Sequence, residues 1–245
     1  MATMKSTKTT LPRKRPVKSR SVSDESIYWE IYNAIVEHRL LPGSKLGQDE
    51  LGKLFGVSKT RVRPILHQLA QQKIVVIEPM RGAFVAKPSV EEAREVNVAR
   101  QLLEDGIVRE AARRITPADI EELKRNVEQE KDARLKGKTD EAHRLTGEFH
   151  MKVAEIAGNK IAAEVIRDLI SRDSLAVAIY QKSHGVGCSL DAHQDLINAI
   201  ASGDEVVAAD CMKKHLVEIG NSLKPDTPAP GSGKLGKAFP NIKQK

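Results

Sequence analysis

Thirty-eight consecutive residues, Gln48 to Val85, limit what this chain can become. They read QDELGKLFGVSKTRVRPILHQLAQQKIVVIEPMRGAFV. Leu51, Leu54 and Phe55 are the apolar positions of a short helix. Gly56 ends that helix, where a left-handed residue costs least. Ser58 stands where an N-cap belongs, ready to accept from a free amide of the next helix. That second helix repeats Val62, Ile65, Leu66 and Leu69 at i, i+3, i+4 and i+7. Its first turns carry Lys59, Thr60, Arg61 and Arg63 on the opposite side. A cationic tip on an apolar back suits insertion into a major groove. KIVVIEP and AFVAKP then read as two strands joined through Met80, Arg81 and Gly82. The pattern predicts a winged helix-turn-helix. Pro64 is the odd residue, because proline removes a helix hydrogen bond beyond the first turn. It predicts a loose turn or a bend.

Upstream, Asp24 to His38 predicts another helix, with Ile27, Ile31, Ile35 and Val36 buried beside Tyr28 and Trp29. Pro42-Gly43 turns the chain out of it. Residues 1–23 hold seven Lys/Arg and no acid. With almost no apolar content they are expected to be disordered, either a basic arm for DNA or a solvated tail.

From Val90 to Leu223 the periodicity is helical almost throughout, and six helices with short connections predict a compact bundle. Lys182 to Cys188 reads as a loop, and Ser189 as the cap of the fifth helix. The Pro/Gly/Lys-rich stretch 224–245 is expected to be disordered. The fold class is therefore mainly α: a winged head over 24–88 and an all-α bundle over 89–223.

Charge divides along the same line. The chain carries +7, yet residues 89–222 hold 19 basic and 25 acidic side chains, a net of −6. Phosphate-facing charge lies at the N-terminus, and the bundle would repel a polyanion. That disfavours a uniformly basic architectural protein. No stretch has the apolar length of a membrane span, and the N-terminus lacks an apolar signal core. Cys188 and Cys211 form no framework, which fits a reducing cytoplasm.

The head resembles the GntR-type DNA-binding domain. The residues that carry this are LPGSKL after the first helix, GVSKTRVR opening the second motif helix, and RGAFV in the hairpin. The resemblance places DNA contacts on Lys59, Arg61, Arg63 and Gly82, with Arg81 beside the wing glycine. Arg63 suits a guanine edge, because arginine reads O6 and N7 together. Ser58 and Thr60 suit phosphates. Asp49 stands where the family often has a basic residue, which bears on the operator sequence. The bundle resembles the FCD effector domain of the FadR branch, through EFHMKVAEIAGN, DAHQDLINAI and the late HL.

Three histidines, His150, His193 and His215, share helical faces with apolar residues and point inward. Neutral imidazole is a preferred ligand of zinc, nickel and similar ions. A lone buried histidine is usually just hydrogen-bonded. The FCD resemblance implies that these three hold a divalent metal, with an Asp one turn before the first. Here that position is Thr146, so water or an effector carboxylate would fill the fourth place. Arg100 and Arg172 are candidates to grip an anionic effector. The competing reading is an ordinary ion pair, for instance Arg100 with Glu104 at i+4.

Together these imply a homodimeric transcriptional regulator, a repressor, on a palindromic double-stranded operator, with a small carboxylate effector. The rival is a metal-dependent enzyme fused to a DNA-binding module, since three histidines with an open position can activate water. The sequence offers that rival no general base near the histidines, no nucleophile pair and no phosphate loop.

Overall fold

A computed structural model describes residues 22–181, 190–224, 235–240 and 242. The N-terminal unit contains α1 (Asp24–Val36), β1 (Lys45–Leu46), α2 (Gln48–Phe55), α3 (Lys59–Gln71), β2 (Val75–Glu78) and β3 (Gly82–Val85). Ser23 caps α1, its side chain accepting from the Ser26 amide, and Asp24 and Glu25 complement the helix dipole in the first turn. The strands form one antiparallel sheet in the order β1-β3-β2, with Val76 opposite Phe84 and Glu78 opposite Gly82. β1 is too short to be heard in the sequence, and it closes the inner edge of the wing.

Ile27, Ile31 and Ile35 of α1, Leu51 of α2, and Val62, Leu66 and Leu69 of α3 meet in one buried core with Val75 and Val85. Gly56 takes φ +66 and joins α2 to α3, as its place in the sequence requires. α3 continues past Pro64, whose ring lies on the exposed side.

The bundle contains α4 (Val90–Arg114), α5 (Pro117–Leu135), α6 (Thr139–Ile156), α7 (Lys160–Tyr180), α8 (Leu190–Ala201) and α9 (Glu205–Ser222). Thr116 opens α5 with a full capping box to Asp119, and Pro117 follows at the first helical position. α4 is the axis of the bundle and packs against α6, α7, α8 and α9. Asn97 on α4 donates to the Leu216 carbonyl of α9 at 3.0 Å, an approach allowed by Gly220. The core joins Ile107, Val108 and Ala111 to Phe149, Val153, Ile166, Leu196 and Leu216.

Two expectations are corrected. The stretch 224–245 is not featureless: Leu235–Ala238 forms a 3-10 helix. Leu235, Ala238 and Phe239 are buried in the core of the head, with Ile242 against it. The cause is an apolar stripe within a Pro/Gly-rich tail. Second, Ser58 occupies the N-cap position but makes no side-chain cap bond. Its hydroxyl pairs with Thr60 Oγ1 at 2.7 Å instead. Residues 1–21 of the basic arm expected over 1–23, the Lys182–Cys188 loop with His184, and Ser189 lie outside the described residues. Among the described residues, no helix is long and apolar enough to cross a membrane.

Candidate functional site

The N-terminal end of α3 carries the expected cations, but they are not equivalent. Lys59 and Thr60 are exposed, and Lys59 Nζ lies 3.7 Å from Asp49 Oδ1. Asp49 thus faces the motif's own lysine. Arg61 is committed within the head: Nε donates to Asp24 Oδ1 at 2.8 Å and Nη2 to the Val22 carbonyl at 2.8 Å. Arg63 is exposed and makes no ion pair among the described residues. At the wing tip Gly82 takes φ +105, and Arg81 pairs with Glu78 while lying over the Phe84 ring. Arg81 is therefore held beside the tip rather than extended from it.

The bundle gathers the three inward histidines from three helices. His150 (α6), His193 (α8) and His215 (α9) are all buried, with one ring nitrogen from each lying within 4.8 Å of the others. His150 Nε2 and His215 Nε2 are 3.2 Å apart, and His193 Nε2 is buried with no hydrogen-bond partner. Phe149 stacks on the His193 ring at 4.3 Å and makes the apolar wall.

Two carboxylates that the sequence did not place beside the histidines aim these rings. Glu104 Oε2 lies 2.6 Å from His150 Nδ1, and Glu130 Oε2 lies 2.9 Å from His193 Nδ1. An ionised carboxylate only accepts, so each fixes the proton on Nδ1 and frees Nε2 as a lone-pair donor. Both are fully buried. Burial alone would raise the Glu104 carboxyl, but Arg100 and His150 outweigh it and hold it down to about 2. For Glu130, burial is likewise overcome, by His193, Arg134 and Thr146, and the carboxyl is held to about 2. Burial pushes His193 and His215 down. They are therefore neutral at pH 7, the form that binds a metal. The orphaned Nε2 and the three-nitrogen donor set fit a divalent ion.

Thr146 stands at the edge of this centre. Its hydroxyl donates to Glu130 Oε1 at 2.8 Å. Arg100 forms the expected ion pair with Glu104 (2.7 Å) and a second with Asp173 (2.6 Å). Its Nη2 stays buried without a hydrogen bond. Arg172 is not brought to the histidines. It pairs with Glu92 at 3.0 Å, three turns before Glu104 on α4. Glu130 had a readable signal: it lies at i+7 from Leu123 and i+3 from Val127, on the buried stripe of α5.

The head matches the family of bacterial regulatory proteins named for gntR over residues 24–85, and the bundle matches the FCD domain over residues 95–218. The chain is a GntR-family regulator with an FCD domain. It is a DNA-binding transcriptional regulator and not an enzyme. It is 28% identical over 202 residues to the HTH-type transcriptional repressor RspR of Escherichia coli K12, covering 82% of this chain and 89% of that one. It is 25% identical over 212 residues to the HTH-type transcriptional regulator LutR of Bacillus subtilis, covering 75% and 93%. Among solved structures, E. coli McbR/YncC superposes with a TM-score of 0.72 at 20% identity, covering 80% of this chain and 93% of that one. A GntR regulator from Rhodococcus sp. RHA1 superposes with a TM-score of 0.70 at 20% identity, over 81% and 95%. These two likenesses speak to the fold.

Proposed function

We propose that this GntR regulator is a homodimeric cytoplasmic repressor of a palindromic operator, released when a small carboxylate metabolite reaches a divalent ion, zinc or nickel, held by His150, His193 and His215. The observation that carries the reading is the convergence of three buried imidazoles, two of them aimed by the carboxylates Glu104 and Glu130. When bound, the ion supplies a positive centre for an effector oxygen. Thr146, lacking a carboxylate, leaves a coordination position for that oxygen. Arg100 Nη2, buried and unbonded, is the cation we assign to the rest of the anion. Repression follows the name of the relative RspR.

Val98 and Leu102 on α4, and Ile161 and Val165 on α7, are exposed apolar pairs one turn apart. They are the surface we assign to the partner copy, since a two-fold dimer matches a palindrome. On the DNA side, Arg63 reads a guanine edge, while Lys59, Thr60, Ser58 and the wing around Arg81 and Gly82 set the register on the backbone.

Selection of bound duplex from a random pool, using chain stripped by chelator and then reloaded with zinc or nickel, tests this. A palindromic consensus, released by a carboxylate only from reloaded protein, is expected. Equal release from stripped and reloaded protein would remove the metal from the reading.

A further inference from the structure

The polypeptide passes between head and bundle twice. The first passage is Lys87-Pro88, leading to Ser89, the cap of α4. The second starts where α9 ends. There Leu223 bridges Gln181, and the Lys224 amide donates to the Tyr180 carbonyl at 2.8 Å. The Tyr180 hydroxyl in turn donates to the Pro88 carbonyl at 2.9 Å. The tail therefore sets out beside the first linker. It reappears as Leu235–Ala238, seated on the head.

That seat is well made. Leu235, Ala238 and Phe239 are 5%, 2% and 2% exposed, as deep as the native core around them. The Phe239 ring meets Phe55 of α2 edge-on at 5.4 Å, a favoured aromatic geometry. Arg39, just beyond α1, donates to the Ala238 carbonyl. Leu235, Ala238 and Phe239 enter the same core, and Ile242 packs against it.

We propose that residues 235–240, with Ile242, are a clasp: an apolar peptide ligand carried by the chain itself, which binds the head at Phe55 and gives it a second covalent tether to the bundle. With one tether the head rests on the bundle through Pro88 and through the contact of Tyr32 and His38 with Ser171 and Ser174 of α7, about which it can rock. With two it keeps one orientation, and movement of α4 or α9 is passed to the recognition helix rather than lost in a hinge.

The experiment uses full-length protein with Cys188 and Cys211 replaced by Ser and spin labels at Lys53→Cys in the head and Glu128→Cys in the bundle. A protease site is inserted between Gly231 and Ser232, which cuts the tether without altering the seat. Cleavage is expected to broaden the label-to-label distance distribution at least twofold, with helix content unchanged. The same distribution before and after cleavage would overturn the clasp. In uncut protein, Phe239→Ala is expected to speed amide exchange in α2 roughly tenfold, and unchanged exchange there would remove the seat. Protection of α2 that rises with protein concentration would place the segment on another copy and overturn the intramolecular assignment.

Discussion

Glu130 Oε2 lies 2.9 Å from His193 Nδ1, and the same carboxylate is held at its other oxygen by Thr146 and Arg134. A side chain from α5 thus orients an imidazole from α8 and is braced by α6. If the histidines hold a metal, Glu130→Gln weakens it, because an amide neither fixes the tautomer nor raises ring basicity. Loss of such an outer partner costs about 10- to 100-fold in metal affinity. Competition with a chromophoric chelator measures it, with the exposed Glu128→Gln as control. Equal affinity in both variants would show that Glu130 has no part in binding.

Arg61 and Arg63 make a discriminating pair. Arg63→Ala is expected to lose about 1–3 kcal/mol of discrimination at one base pair and leave thermal stability unchanged. Arg61→Ala frees Asp24 and Val22, so it is expected to lower the melting temperature while base preference holds. Binding to single-base operator variants, with melting curves, separates them. A base-specific loss in Arg61→Ala would contradict its structural role.

Gly52 lies where α2 meets the start of α3. A Cβ there would come within 2.8 Å of the Val57 carbonyl oxygen, a backbone atom that cannot step aside. Gly52→Ala is expected to destabilise by about 1–3 kcal/mol, as overpacking does. Calorimetry should show a loss of several degrees, and an unchanged midpoint would mean the turn relaxes freely.

The His38 and His143 rings lie with centroids 4.2 Å apart, tilted by 44°, at the junction of head and bundle. Burial, reinforced by His143, lowers the His38 pKa to about 3 against the pull of the Ser174 carbonyl. An unfolded histidine takes a proton near pH 6.5. The stability contributed by neutral His38 is therefore complete above that value and is lost as pH falls from about 6.5 toward 3. Glu37 and Arg144 face the same junction at 3.7 Å. His38→Asn, whose side chain tolerates the φ of +61, should show a smaller drop in melting temperature between pH 7.5 and 5 than the parent. Identical drops would assign the acid sensitivity elsewhere.

Leu102 is 77% exposed on α4. Leu102→Glu is expected to shift the chain from dimer to monomer, or weaken association at least tenfold, by light scattering. A dimer of undiminished affinity would exclude this face.

Local periodicity carried most of this fold. The head and the six bundle helices follow from apolar spacing, caps and two turn glycines, all short-range signals. The three inward histidines were legible for the same reason. What stayed hidden was partnership across helices. Nothing in the linear order pairs Glu130 with His193, or Arg100 with Asp173, because those contacts span 63 and 73 residues. The tail misled for a different reason: its prolines and glycines outweighed four apolar residues that need the head to form a face at all.

α4 has a mechanical consequence. It begins one residue after Ser89, where the wing ends, and at Glu104 it touches His150. Those fifteen residues of continuous helix amount to about 22 Å of stiff rod at 1.5 Å per residue. Glu104 is anchored at one end of that lever and the DNA reader hangs from the other. A displacement of Glu104 beside the imidazoles would be carried along that rod to the head.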